Sequence, residues 1–130
     1  MFTITKEFSF SAAHHLSGLP DDHPCSRDHG HNYTVVVELQ SDDLNGAGFV
    51  RDYGELRELG IYIDQNLDHR DLNRVLPFNP TAENLAYFLF SFARALWPET
   101  SAVRVSETVK TWAEYRPARP QPMFSEGADR

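Results

Sequence analysis

Residues Phe2 to His14 alternate between two kinds of position. Phe2, Ile4, Phe8, Phe10 and Ala12 share one parity, broken only by Lys6, while Thr3, Thr5, Glu7, Ser9 and Ser11 fill the other. A period of two predicts a half-buried strand and places His14 on its apolar side. Gly18, Pro20, Asp21, Asp22 and Pro24 mark a loop. The alternation returns from about Gly30 to Gln40, with His31, Tyr33, Val35, Val37 and Leu39 on the apolar parity.

After the turn SDDLNGAG the period changes. Asp52 and Glu55 have the spacing of a capping box, and Leu56, Leu59, Ile63 and Leu67 then recur at three and four. This predicts a helix, weakened by Gly54 and Gly60. DHRDLNRVLPFNP reads as a connection. Thr81 caps a second helix striped by Leu85, Leu89, Phe92 and Leu96 and closed by Pro98. SAVRVSETVK predicts a third strand and TWAEYR a short fourth. The order predicts an α+β fold, an antiparallel four-stranded sheet with two helices on one face, as a single domain over residues 1–116. The tail, residues 117–130, is proline-rich and expected to be flexible.

The chain of 130 residues is one domain's worth, and 41% hydrophobic residues suffice for a core. A net charge of -7 argues against nucleic acid or an anionic membrane as partner. It leaves room for a small anionic substrate held by a local Arg or Lys. The single cysteine excludes an internal disulfide. MFTITKEFSF alternates where a secretion signal would be basic and then apolar, and no apolar run approaches the roughly 20 residues of a membrane span. The expectation is a cytoplasmic protein.

The segment HHLSGLPDDHPCSRDHGH, from His14 to His31, holds five of the six histidines and the only cysteine. His29 and His31 share one face of an extended chain. If the first two strands pair as a hairpin, His14 approaches both of them across the strands. Three histidines with an open fourth position suit a catalytic metal site. The bland reading is ordinary strand histidines; His15 has the solvent parity of a surface residue, and His23 is a spare residue of the loop. Cys25 fits a fourth ligand of a closed structural site, an activated thiolate, or a small buried side chain. Asp68 and His69 form an acid–base pair or a histidine stabilised at a helix C-terminus. Glu107 shares the parity of Val103, Val105 and Val109, so its carboxylate points inward and needs a partner, unless a bulge breaks the register.

FSFSAAHHL, CSRDHGHNY, FVRDYGELR, LDHRDLN, NPTAENLA and VRVSETVKTWAEY occur in an order that resembles the 6-pyruvoyl-tetrahydropterin synthase / 6-carboxy-tetrahydropterin synthase family over about residues 4 to 116. The resemblance implies zinc held by His14, His29 and His31, with Cys25 as catalytic thiol and Asp68 and His69 completing the proton-transfer set. It implies that Glu107, with Thr108 beside it, anchors the 2-amino/N3 edge of a pterin. It also implies that Thr81 and Glu83 lie near the substrate pocket. The implied fold is the tunnelling fold, with subunits in trimeric barrels, two trimers stacked as a homohexamer, and active sites between subunits.

The three residues between Cys25 and His29 resemble the 6-carboxy-tetrahydropterin synthases of queuosine biosynthesis. The implied reaction converts 7,8-dihydroneopterin triphosphate to 6-carboxy-5,6,7,8-tetrahydropterin, losing acetaldehyde and triphosphate. The alternatives are a 6-pyruvoyl-tetrahydropterin synthase-type lyase and, outside enzymes, a structural-zinc binding module. His15 and Arg57 stand where Arg or Lys and Lys are frequent in that family. The triphosphate-binding residues stay open.

Overall fold

The computed structural model describes residues 1–118. Two strands of thirteen residues, β1 (Phe2–His14) and β2 (His29–Ser41), pair antiparallel without a break from Phe2 opposite Ser41 to His14 opposite His29. A 3-10 turn (Tyr53–Leu56) leads into α1 (Arg57–Asn66). A two-residue strand β3 (Arg70–Asp71) and a one-turn helix α2 (Leu72–Val75) follow. The described elements close with α3 (Ala82–Leu96), β4 (Thr100–Thr108) and β5 (Thr111–Tyr115).

The sheet order is β3-β1-β2-β4-β5. One face carries the core. Tyr33, Val35, Val37 and Leu39 of β2 are fully buried, as are Leu56, Leu59, Ile63 and Leu67 around α1 and Leu85, Ala86, Leu89 and Ala93 of α3. Each large side chain so buried contributes roughly 1.5–3 kcal/mol. The glycine that weakens α1 in sequence has a packing reason. A Cβ on Gly60 would stand 2.9 Å from the Phe8 ring, so glycine lets α1 lie directly on β1. Among the described residues, no helix is long and apolar enough to cross a membrane.

Several expectations are corrected. The sheet has five strands, not four, because Arg70 and Asp71 pair in parallel with Ala12 and Ala13. Two residues carry no periodicity, so the connection that holds them cannot announce a strand. Asp52 does not form a capping box. Its side chain accepts from the Gly54 N–H to cap the 3-10 turn, and Glu55 pairs instead with Arg51 at 2.7 Å. The stripe of α3 rotates toward its end. Leu96 is exposed, and Phe90, Ala93 and Trp97 are buried in its place. Val109 is 95% exposed in the β4–β5 turn, because a register shift between Val105 and Thr108 ends the alternation. Most of the tail expected to be flexible lies outside the described residues.

Candidate active site

The β1–β2 ladder ends on its last rung with His14 opposite His29, and His31 faces Ala12 two rungs inside. The three rings share the core side of the sheet, with centroids 4.5, 5.0 and 4.8 Å apart. One ligand atom from each lies within 4.8 Å of the others. His14 is fully buried. Its Nδ1–H donates to the Pro80 carbonyl at 2.9 Å, which leaves Nε2 as the inward lone pair. His29 repeats the device, its Nδ1 donating to the Arg27 carbonyl at 2.7 Å. The His14 and His29 Nε2 atoms are 2.9 Å apart. Fixing a tautomer through the remote nitrogen is how proteins orient metal-binding imidazoles. Burial, and then the neighbouring histidines, lower the His14 pKa despite the Pro80 bond, which favours the neutral ring that a metal requires. The donor set fits a metal ion with an open coordination side.

Glu107 points the same way. Its Oε2 is 3.4 Å from Nε2 of His14 and 3.8 Å from Nε2 of His31. The inward parity of Glu107 therefore survives the bulge that throws Val109 outward. Glu107 and Glu83 line a small cleft of about 270 Å³ with Ala82, Thr111, Trp112 and Ala113. Thr81 and Thr108 are not among the residues lining this cleft. The Thr81 side chain accepts from the Asn84 N–H and caps α3, and the Thr108 hydroxyl stands 3.0 Å from that of Thr111 in the hairpin turn.

Asp68 and His69 lie where α1 hands over to β3. Asp68 Oδ1 accepts from the Ser11 N–H at 2.9 Å, and Oδ2 is 3.0 Å from Nδ1 of His69. The Ser11 and His69 bonds hold the Asp68 carboxyl below its usual range. His69 has φ of 57°, the left-handed region that a non-glycine residue enters only under constraint. Its N–H donates to the Ser11 carbonyl, and its ring is 82% exposed. This ring and His31 line an open cleft of about 540 Å³ with Ser11, Asn32 and Arg70. Cys25 is half-buried in the 3-10 turn Pro24–Ser26, outside the three-histidine group. One chain thus gathers His14, His29, His31 and Glu107, while Asp68–His69 and Cys25 stand apart from Glu107 and its cleft.

Sequence reasoning missed the support of the site. Tyr33, treated there as a core residue, places its hydroxyl 3.1 Å from Nδ1 of His14 and stacks on Phe10 at 4.7 Å. Burial and then the Glu107 charge push its phenol pKa well up, so it stays protonated. Its place two residues after His31 was the available signal. The Pro80 and Arg27 carbonyls had none, since any residue carries a carbonyl.

These features define an α+β protein with a three-imidazole site at the end of a long hairpin. The chain belongs to the 6-pyruvoyl tetrahydropterin synthase family, a lyase family whose model matches residues 3–118. It is 35% identical to 6-carboxy-5,6,7,8-tetrahydropterin synthase of Synechocystis, over 95% of this chain and all of that one. It is 30% identical to the enzyme of the same name from Bacillus subtilis, over 91% of this chain and 87% of the relative. Its fold is similar to that of Caenorhabditis elegans 6-pyruvoyl tetrahydropterin synthase, with a TM-score of 0.79 and 28% identity over 90% of this chain and 96% of the other.

Proposed function

We propose that this protein is a zinc-dependent 6-carboxy-tetrahydropterin synthase. It would convert 7,8-dihydroneopterin triphosphate and water to 6-carboxy-5,6,7,8-tetrahydropterin, acetaldehyde and triphosphate, within deazapurine (queuosine) biosynthesis. The observation that carries the reading is the convergence of His14, His29 and His31 with the Glu107 carboxylate at 3.4 and 3.8 Å.

In this reading the three histidines are the zinc ligands. The chemistry zinc supplies when bound is Lewis-acid polarisation of side-chain oxygens. The Glu107 carboxylate accepts the two N–H groups of the pterin edge, and Glu83 borders the same cleft. Thr81 and Thr108 shape that cleft by capping α3 and closing the β4–β5 turn. Cys25 and His69 move protons, and Asp68 orients the His69 ring. Within one chain the His69 ring lines a cleft with His31, while Glu107 borders a different one. The separation of His69 from Glu107 supports sites shared between subunits of a homohexamer, where the His69 of one chain would serve a pterin held by the Glu107 of another.

Two features favour the carboxy reaction over the pyruvoyl one. The relatives from Synechocystis, Bacillus subtilis and Haemophilus influenzae carry the carboxy name, and three residues separate Cys25 from His29. The pyruvoyl reading draws on the Caenorhabditis elegans structure. The test is turnover of 7,8-dihydroneopterin triphosphate by zinc-loaded protein, with products followed by mass. Acetaldehyde with a carboxylated pterin supports the proposal. A pyruvoyl product moves the protein to the sister reaction. No product from folded, zinc-loaded protein overturns both and favours a structural-zinc module.

A further inference from the structure

The loop between β1 and β2 has no ladder to hold it, yet it carries the thiol. The bonds that fix Cys25 are few. Its carbonyl accepts from the Leu16 N–H at 2.7 Å, and its own N–H donates to Nδ1 of His23 at 3.0 Å. His23 precedes Pro24, which restricts it to extended backbone, and it sits at φ -69° and ψ 131°. From there the ring folds forward over the turn and caps Pro24–Ser26 as an Asn or Asp side chain would. The His23 carbonyl in turn accepts from the Ser26 hydroxyl at 2.7 Å, and that hydroxyl also donates to the Asp21 carbonyl. His23 is therefore the side chain that ties the Cys25 backbone to the loop, between Leu16, two residues past His14, and Arg27, whose carbonyl holds His29.

We propose that His23 is a positioning residue for the Cys25 thiol. This rests on the lyase reading for its catalytic consequence but not for its geometric one. Losing this hydrogen bond removes one of the two backbone bonds that hold Cys25 in the loop. The loop then opens more often, and a half-buried thiol becomes more reactive by about three- to tenfold. Displacing a reacting group by an ångström costs up to about a hundredfold in rate.

The experiment compares the wild type with His23→Ala, His23→Asn and Cys25→Ala. It measures Cys25 alkylation by iodoacetamide, kcat and KM on 7,8-dihydroneopterin triphosphate, metal content and Tm. His23→Ala is expected to alkylate about three- to tenfold faster and to lose kcat by on the order of tenfold to a hundredfold, with KM, metal and Tm unchanged. His23→Asn is expected to restore both, because its side-chain oxygen reaches the same N–H. The proposal is overturned if His23→Ala alkylates at or below the wild-type rate, or if His23→Asn is as impaired as His23→Ala. An inactive wild type sinks the lyase reading instead, whereas an active Cys25→Ala overturns only the thiol's part in the reaction. The alkylation comparison then still decides whether His23 holds the thiol.

Discussion

Nε2 of His14 and Nε2 of His29 stand 2.9 Å apart on the final rung of the β1–β2 hairpin. Both remote nitrogens are tied to carbonyls, so both inward atoms are lone pairs. Two lone pairs aimed at one point repel unless a cation lies between them. Chelation with EDTA is therefore expected to lower Tm, and added zinc to restore it. A hundredfold excess of free metal over Kd is worth about 2.7 kcal/mol. His29→Ala should abolish the response. A Tm indifferent to EDTA and zinc would show that the trio holds no metal in the folded state.

Cys25 lies outside the three-histidine group. Cys25→Ala is accordingly expected to keep full zinc stoichiometry and wild-type Tm while turnover falls to background. Metal analysis, thermal melting and the turnover assay check this together. Loss of zinc and stability in step would make Cys25 a structural ligand.

Asp68 holds His69 in a left-handed conformation that Asn tolerates better than His. His69→Asn should be at least as stable as the wild type, with a gain of up to about 1 kcal/mol, and should lose turnover by about 10²–10⁴-fold. Urea unfolding and the turnover assay separate the two effects. An active variant would remove His69 from the proton-transfer set.

Glu38 is buried on β2 beneath Arg104 at 2.9 Å and Arg116 at 2.7 Å, and its Oε1 accepts from the Ser101 hydroxyl. Burial alone raises its pKa. The Arg116 and Ser101 hydrogen bonds and both Arg charges outweigh this and hold it below the usual glutamate range. The unfolded chain therefore binds this proton first as pH falls. The stabilisation is full above the unfolded value, about pH 4.3, and is lost as pH drops through the lowered folded value. Glu38→Gln should cost about 1–2 kcal/mol at neutral pH, moderated by the partly exposed Arg partners, and nearly nothing at the acid end. Urea midpoints across acid pH would show the two curves converging. Parallel curves would remove Glu38 from the acid transition.

Gly60 and Phe8 are coupled. Ala at position 60 gains helix propensity of about 1 kcal/mol, but its Cβ would meet the Phe8 ring at 2.9 Å. Overpacking costs about 1–3 kcal/mol. Gly60→Ala should therefore destabilise the wild type and stabilise a Phe8→Ala background. Equal effects in the two backgrounds, read from a double-mutant cycle, would show that the contact costs nothing.

Legibility in the sequence followed periodicity. β1, β2, α1 and α3 each run for ten residues or more, long enough for alternation or a three-four stripe to stand out. Parity alone put His14, His31 and Glu107 on the core side, where the fold has them. β3 is two residues long and pairs with a strand far away in sequence, so no local pattern could mark it. The turn of α3 from Leu96 to Trp97 depends on what the sheet offers to pack against, which local spacing does not encode.

The sequence by itself determined which side chains face inward and the order of the elements, because side-chain direction follows from backbone period. Only the tertiary structure decided how the histidines are aimed. The Nδ1 partners of His14 and His29 are main-chain carbonyls of Pro80 and Arg27. The same holds for the His23 bond to the Cys25 N–H and for the strained backbone of His69. Carbonyls and N–H groups are common to nearly every residue, so their use as anchors is set by where the folded backbone passes, not by which residues are there.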